Sequence, residues 1–234
     1  MHDASSFVTL TYDDKNYEPS LNYKDFQRFM YRLRERFGPT RFFACGEYGE
    51  TTLRPHFHCL LFGRTFANPE PVGEHIYSSP ELNKLWPAGF SSFGSVTYES
   101  AAYVAGYACK KISGPRADSH YTRLDLRTGE LCRVVPEFGR MSLKPGLGYT
   151  WFQKYWKEVY LGRDGVMQRG GKTTPPPRYY DKLLEETDVD LRQWLDFDRY
   201  VRSGRFADDC TPDRLAVREK CALAKRQFVN RSSL

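Results

Sequence analysis

The sequence predicts an α+β fold: a central antiparallel sheet with helices laid on it, followed by a helical C-terminal region. Three observations lead there. Short apolar or alternating segments, FVTLTY, RFFACGEYG, RPHFHCLLFG and FSSFGSVTY, have the length and period of strands. Residues with helical spacing fall between the first and second of these, and again after the fourth. The resulting order, strand, helix, strand, strand, strand, helix, is related to the ferredoxin-like arrangement. With 234 residues, 40% hydrophobic and 15% aromatic, the chain can bury the core such a domain needs.

FVTLTY (7–12) sets Val8, Leu10 and Tyr12 against Phe7, Thr9 and Thr11, giving one apolar and one mixed face. The loop YDDKNYEPS follows. Asn22, with Asp25 three residues on, starts a helix in which Phe26, Phe29, Met30, Leu33 and Phe37 recur until Gly38-Pro39 ends it. Lys24, Arg28, Arg32 and Arg36 step by four along the flank of that stripe, a row that is either solvated or faces nucleic acid. RFFACGEYG (41–49) and the strand at 55–62 form an antiparallel hairpin through the turn ETTLRP. Residues 63–95 are rich in Pro, Gly and Ser, with one short helix, SPELNKLW, capped by Ser79 and carrying Pro80 in its first turn. A strand at 90–98 leads into a helix at 99–111, which SGP ends. Residues 113–148 are loop-rich, with a hairpin that turns at Thr128-Gly129. GYTWFQKYWKEVYL (148–161) is an aromatic helix, 162–177 is a linker without packing potential, and 178–234 is charged and helical with few large apolar residues.

The net charge of +6 permits a polyanionic partner without requiring one. No apolar stretch is long enough to cross a bilayer, and MHDASSFVTLTY runs into a strand pattern without a signal-peptide core, so no membrane partner is expected. The six cysteines are scattered without a C-x-x-C pair. They read as small buried residues in a reducing cytoplasm, not as a zinc ribbon or disulfide frame.

His56 and His58 are one residue apart in a strand, so their imidazoles share a face and can hold one metal ion; the alternative is two histidines hydrogen-bonded within a sheet. The hairpin brings Glu47 beside His56 as third ligand, with Glu50, in the turn, as its rival. Two imidazoles and a carboxylate with open positions suit a hydrated Mg²⁺ or Mn²⁺. In ESAAYVAGYACKK, Tyr103 and Tyr107 share a helix face, with Lys110 three and Lys111 four residues beyond Tyr107. A nearby ammonium favours the phenolate, which is a nucleophile toward a metal-bound phosphate. The small residues of this helix allow close packing and the approach of a DNA strand. Alone, the segment also reads as an amphipathic helix with half-buried tyrosines and a solvated lysine pair.

H-x-H on a strand, followed some forty residues later by Y-x-x-x-Y-x-x-K on a helix, is what a HUH endonuclease needs. The chain resembles the replication initiator proteins of small single-stranded DNA phages of the gokushovirus type, in the Microviridae. FVTLTY is similar to their first motif, RPHFHCLLFG to the HUH motif, and SAAYVAGYACKK to the tyrosine motif. CGEYGE, FGSVTYESAAY and MSLKPGLGYTWF also resemble theirs, and the likeness covers about residues 5–160. Members of the family usually carry a stretch with spaced cysteines ahead of the first strand motif, and this sequence has none there.

The resemblance implies a ferredoxin-like, RRM-like HUH domain at 1–161, the linker at 162–177 and the charged helical region at 178–234. It implies nicking of single-stranded DNA at a viral origin in the cytoplasm of a bacterial host, with a 5′-phosphotyrosine link and rolling-circle synthesis by a host polymerase. Tyr103 and Tyr107 would be the nucleophiles, Tyr107 favoured for the first cut. Lys110, or Lys111, would stabilise the phenolate or leaving oxygen, and His56, His58 and Glu47 would hold the metal. The sequence has no G-x-x-x-x-G-K-[ST] loop, which fits an enzyme that borrows a host helicase. Thr9, Thr11, Arg54 and the Arg28, Arg32, Arg36 row are candidate DNA contacts. Two other readings use part of these features: a metal-dependent phosphodiesterase with water as nucleophile, and a non-catalytic nucleic-acid-binding module.

Overall fold

The computed structural model describes residues 2, 4–49, 51–107, 111–125, 128–168 and 170–231, apart from the side chains of Tyr107 and of residues 226–231. The chain forms two compact units, Met1–Leu147 and Gly148–Leu234. The first runs β1 (Ser5–Tyr12), α1 (Tyr23–Phe37), β2 (Arg41–Tyr48), β3 (Pro55–Phe62), β4 (Glu70–Gly73), β5 (Ile76–Ser78), α2 (Pro80–Leu85), β6 (Gly89–Ser95), α3 (Tyr98–Tyr107), α4 (Ala117–Tyr121), β7 (Thr122–Leu124), β8 (Leu131–Arg133) and β9 (Phe138–Met141). Among the described residues, seven strands make one antiparallel sheet in the order β4-β5-β6-β1-β3-β2-β9. Its inner strands, β6-β1-β3-β2, have α1 between β1 and β2 and α2 between β3 and β6, which is the connectivity of the expected α+β fold.

Local chemistry fixes the helix ends. The Asn22 side chain accepts a hydrogen bond from the Lys24 backbone N–H and caps α1, and Gly38 leaves the helix at φ 79°. Ser79 caps α2 by accepting from the Glu81 N–H, with Pro80 in the first turn. The strand expected at 90–98 stops at Ser95, because Thr97 and Ser100 exchange side chain to backbone hydrogen bonds and start α3 at Tyr98.

The sheet has two different faces. On one, Val8, Leu10, Phe57, Cys59 and Leu61 meet Phe26, Phe29 and Leu33 of α1 and Leu82 of α2 in the main core. On the other, α3 lays Val104 on Cys45 and Leu60, with Phe7 and Phe43 packed around them. One strand, β3, therefore feeds the core and the second face alternately.

Some elements lie where loops were expected. The β4–β5 hairpin falls in the Pro/Gly/Ser-rich stretch, and β9 pairs with the free edge of β2. Edge strands gain from backbone pairing, which leaves little mark on side-chain pattern. The β7–β8 hairpin is where the Thr128-Gly129 turn placed it. Cys45 and Cys59 are buried, but Cys210 and Cys221 are exposed, against the expectation.

The second unit holds α5 (Tyr149–Lys157), a π-helical turn (Glu158–Arg163), the short ribbon β10 (Val166–Met167) and β11 (Thr173–Thr174), α6 (Arg178–Thr187), α7 (Val189–Gly204) and α8 (Pro212–Arg231). Its division differs from 1–161, 162–177 and 178–234. The aromatic helix buries Phe152 against Leu183, Leu184 and Leu195, so it belongs with the helices that follow it. The expected linker is not unpacked. Val166 joins that cluster, and Arg199 and Arg202 both bind the Asp164 carboxylate. An amphipathic stripe says that a helix buries a face but not against what. No helix among the described residues is long and apolar enough to cross a membrane.

Candidate metal and nucleophile site

The register of β2, β3 and β1 builds the site. Glu47 pairs with His56, and His58 lies between Cys45 and Thr9, so all these side chains rise from the α3 face of the sheet. The Nε2 atoms of His56 and His58 lie 2.7 and 2.9 Å from one oxygen of Glu47. One donor atom from each residue falls within 4.8 Å of the others, close enough to share an ion.

The second contacts of the histidines decide their chemistry. His56 Nδ1 lies 3.1 Å from the Arg54 carbonyl oxygen. A carbonyl only accepts, so Nδ1 carries a proton. Nε2 then faces the carboxylate either as part of an imidazolium or with a lone pair, and a cation does the work of the second proton. Thr9 Oγ1, 2.9 Å from His58 Nδ1, sets that ring in the same sense when it accepts from Nδ1–H. Phe7 stacks on the same ring at 5.4 Å. Glu47 is only 4% exposed, and its other oxygen, Oε2, is buried with no hydrogen-bond partner. Burial pushes the Glu47 carboxyl up, but hydrogen bonds from His56 and His58 outweigh it and hold the group below the usual carboxylate range. A buried anion with an unpaired oxygen, facing two imidazoles, fits a divalent cation.

Tyr103 projects from α3, its ring 5.6 Å from that of His58 and 6.3 Å from Phe7, with 51% of its surface open. Val104, fully buried, and Ala101 anchor the helix, while Ala102, Ala105 and Gly106 are exposed and not packed as expected. Tyr107 ends α3 one turn beyond Tyr103, its side chain outside the described residues. Lys110 and Glu50 also lie outside the described residues, and Lys111 is exposed beyond the helix.

Residues 5–112, which contain every member of this cluster, match the family model for replication-associated proteins of the ORF2 type. That segment belongs to the ORF2-type replication-associated protein family. The chain is 32% identical over 218 residues to replication-associated protein VP4 of Bdellovibrio phage phiMH2K, covering 86% of this chain and 64% of that protein. It is 28% identical to replication-associated protein ORF2 of Spiroplasma virus 4 (81% and 59% covered) and 30% identical to replication-associated protein ORF4 of Chlamydia phage 1 (79% and 47%). It thus spans roughly half to two thirds of the length of these curated relatives. No solved structure matches it.

Within this ORF2-type region the other expected contacts divide. Thr9 and Thr11 stand on the site face, Thr11 opposite His56. Arg54 lies at the start of β3, its guanidinium on the Tyr12 carbonyl and the Asp14 carboxylate. Arg28, Arg32 and Arg36 are not brought to the site. They sit on α1, which packs on the other face, and bind Asp25, the Leu85 carbonyl and Glu81 respectively. The ring of Phe7 and the hydrogen bond of Thr9 to His58 were missed from sequence, although strand alternation already put both on this face. Thr9→Val keeps the shape and removes the hydroxyl. It is expected to weaken Mn²⁺ binding about 10- to 100-fold in a calorimetric titration. Unchanged affinity would mean that Thr9 does not orient His58.

Proposed function

We propose that this chain is a phage replication initiator that nicks single-stranded DNA at the viral origin by tyrosine transesterification and so starts rolling-circle replication. The observation that carries the reading is the convergence of Glu47, His56 and His58 beside the half-open phenol of Tyr103. The names of the relatives, all replication-associated proteins of phages or viruses, support it.

Glu47, His56 and His58 would hold Mg²⁺ or Mn²⁺, which polarises a phosphate oxygen and offsets charge in the transition state. The oxygen of Tyr103 or Tyr107, having lost its proton, attacks the phosphorus, and the bond from phosphorus to the 3′ oxygen breaks. The 3′ oxygen leaves, takes up a proton, and serves as primer. The 5′ phosphate stays on the tyrosine. One phosphoester replaces another, so rejoining needs no ATP. Lys110 or Lys111 supplies a cation to the phenolate or the leaving oxygen. A host helicase and a host polymerase would do the rest, in the bacterial cytoplasm.

The test uses labelled single-stranded fragments of the parent phage genome with Mn²⁺, followed by denaturing electrophoresis. A detergent-stable protein–DNA band is expected, lost when both Tyr103 and Tyr107 become Phe, with the single variants naming the tyrosine that cuts first. Cut DNA with no adduct would instead support water as nucleophile. Binding without cutting would support a nucleic-acid-binding module.

A further inference from the structure

Among the described residues, the face that carries the site has one apolar side chain that nothing covers. Along one row of the sheet, Phe90 of β6 pairs with Thr11 of β1, Thr11 with His56 of β3, and His56 with Glu47 of β2. Directly paired residues point to the same side, so Phe90 stands on the face of the metal cluster. It is two strand spacings from His56, about 10 Å. Phe7, Phe43 and Phe62 on this face all pack under α3 with Val104, but Phe90 is 70% exposed.

Its position is held firmly. Gly89 takes φ 153°, and a Cβ there would lie 2.3 Å from the Asp13 nitrogen and 2.4 Å from the Thr11 oxygen. Trp86 donates its indole N–H to the Thr11 carbonyl, and the Asp13 N–H donates to Ala88. These contacts tie the start of β6 to β1 and leave the phenyl ring no other row to occupy.

We infer that Phe90 is a stacking platform for a base of the single strand engaged at the metal cluster, within about three nucleotides of the scissile phosphate at roughly 3.4 Å per stacked nucleotide. The inference rests on the reading of the site as one that acts on single-stranded DNA. A scissile phosphate seated between Tyr103 and the Glu47/His56/His58 cluster puts its neighbours over the same sheet face, where Thr9, Thr11 and Ser92 offer only hydroxyls. A base needs an apolar plane to replace its stacked neighbour, and Phe90 supplies it.

The experiment measures binding of the full chain to fluorescein-labelled oligothymidylate and to an abasic strand of the same length and charge, by fluorescence anisotropy. Wild type is expected to prefer the strand with bases. Phe90→Ala and Phe90→Leu are expected to weaken oligothymidylate binding roughly 5- to 150-fold and leave abasic binding unchanged, while Phe90→Tyr and Phe90→Trp keep the preference. Equal loss on both strands, no loss in Phe90→Ala, or a wild type blind to the bases would each overturn the inference. The adduct assay, run in parallel, separates the two readings: adduct formation by a Phe90→Ala chain that binds like wild type sinks the platform alone. Absence of adduct in wild type, with binding still dependent on Phe90, sinks the nicking reading alone.

Discussion

His58→Ala is expected to lower adduct formation on single-stranded DNA by roughly a thousandfold or more. A bound divalent ion supplies several kcal/mol of transition-state stabilisation, and each 1.36 kcal/mol is a decade in rate. His58 is the ligand between Thr9 and Glu47, and its ring carries contacts to both Phe7 and Tyr103. The loss should appear twice, as absent Mn²⁺ binding in calorimetry and as absent adduct on the gel. Free imidazole, which can enter the space left by the ring, should restore part of both. A variant that forms adduct at the wild-type rate would rule out the metal reading of this cluster.

Phe57→Ala is expected to cost about 3–5 kcal/mol of folding stability, a large share of the roughly 5–15 kcal/mol a domain has. Phe57 is 1% exposed at the centre of β3, with its ring near those of Tyr12, Phe26, Trp86 and Phe138. No single neighbour can move into the space, because these rings belong to separate elements. A urea titration should show the midpoint of the first unit lowered by about 2 M, taking a slope near 2 kcal/mol per M. A shift of a few tenths of that would mean the core repacks around the gap.

Much of this arrangement is legible in the residues, for identifiable reasons. Asn22 and Gly38 mark the ends of α1 because capping is a local interaction. The metal cluster is legible because a hairpin fixes which residue faces His56, and strand period fixes that His58 shares its side. What escapes depends on pairings between distant segments. The strand containing Phe90 is visible in the sequence, but its neighbour is not, so neither is its place beside Thr11. The row Arg28, Arg32, Arg36 has the spacing of a binding surface, and only the packing of α1 shows that it lies on the other face. The aromatic helix at 149–157 shows its stripe plainly, yet the stripe fits Leu183, Leu184 and Leu195 as well as it would fit a sheet.

The metal ligands and the tyrosine rest on unequal foundations. His56 and His58 belong to β3, which is hydrogen-bonded on both sides and has Phe57, Cys59 and Leu61 in the core. Tyr103 belongs to a ten-residue helix held chiefly by Val104 and Ala101. Amide hydrogens at 57–61 can then reach solvent only when the whole unit unfolds, whereas those of α3 can exchange through local openings of lower free energy. The nucleophile can swing toward or away from a strand of DNA while the ion's cradle keeps its shape, so turnover and thermal endurance can be tuned by different residues of one small site.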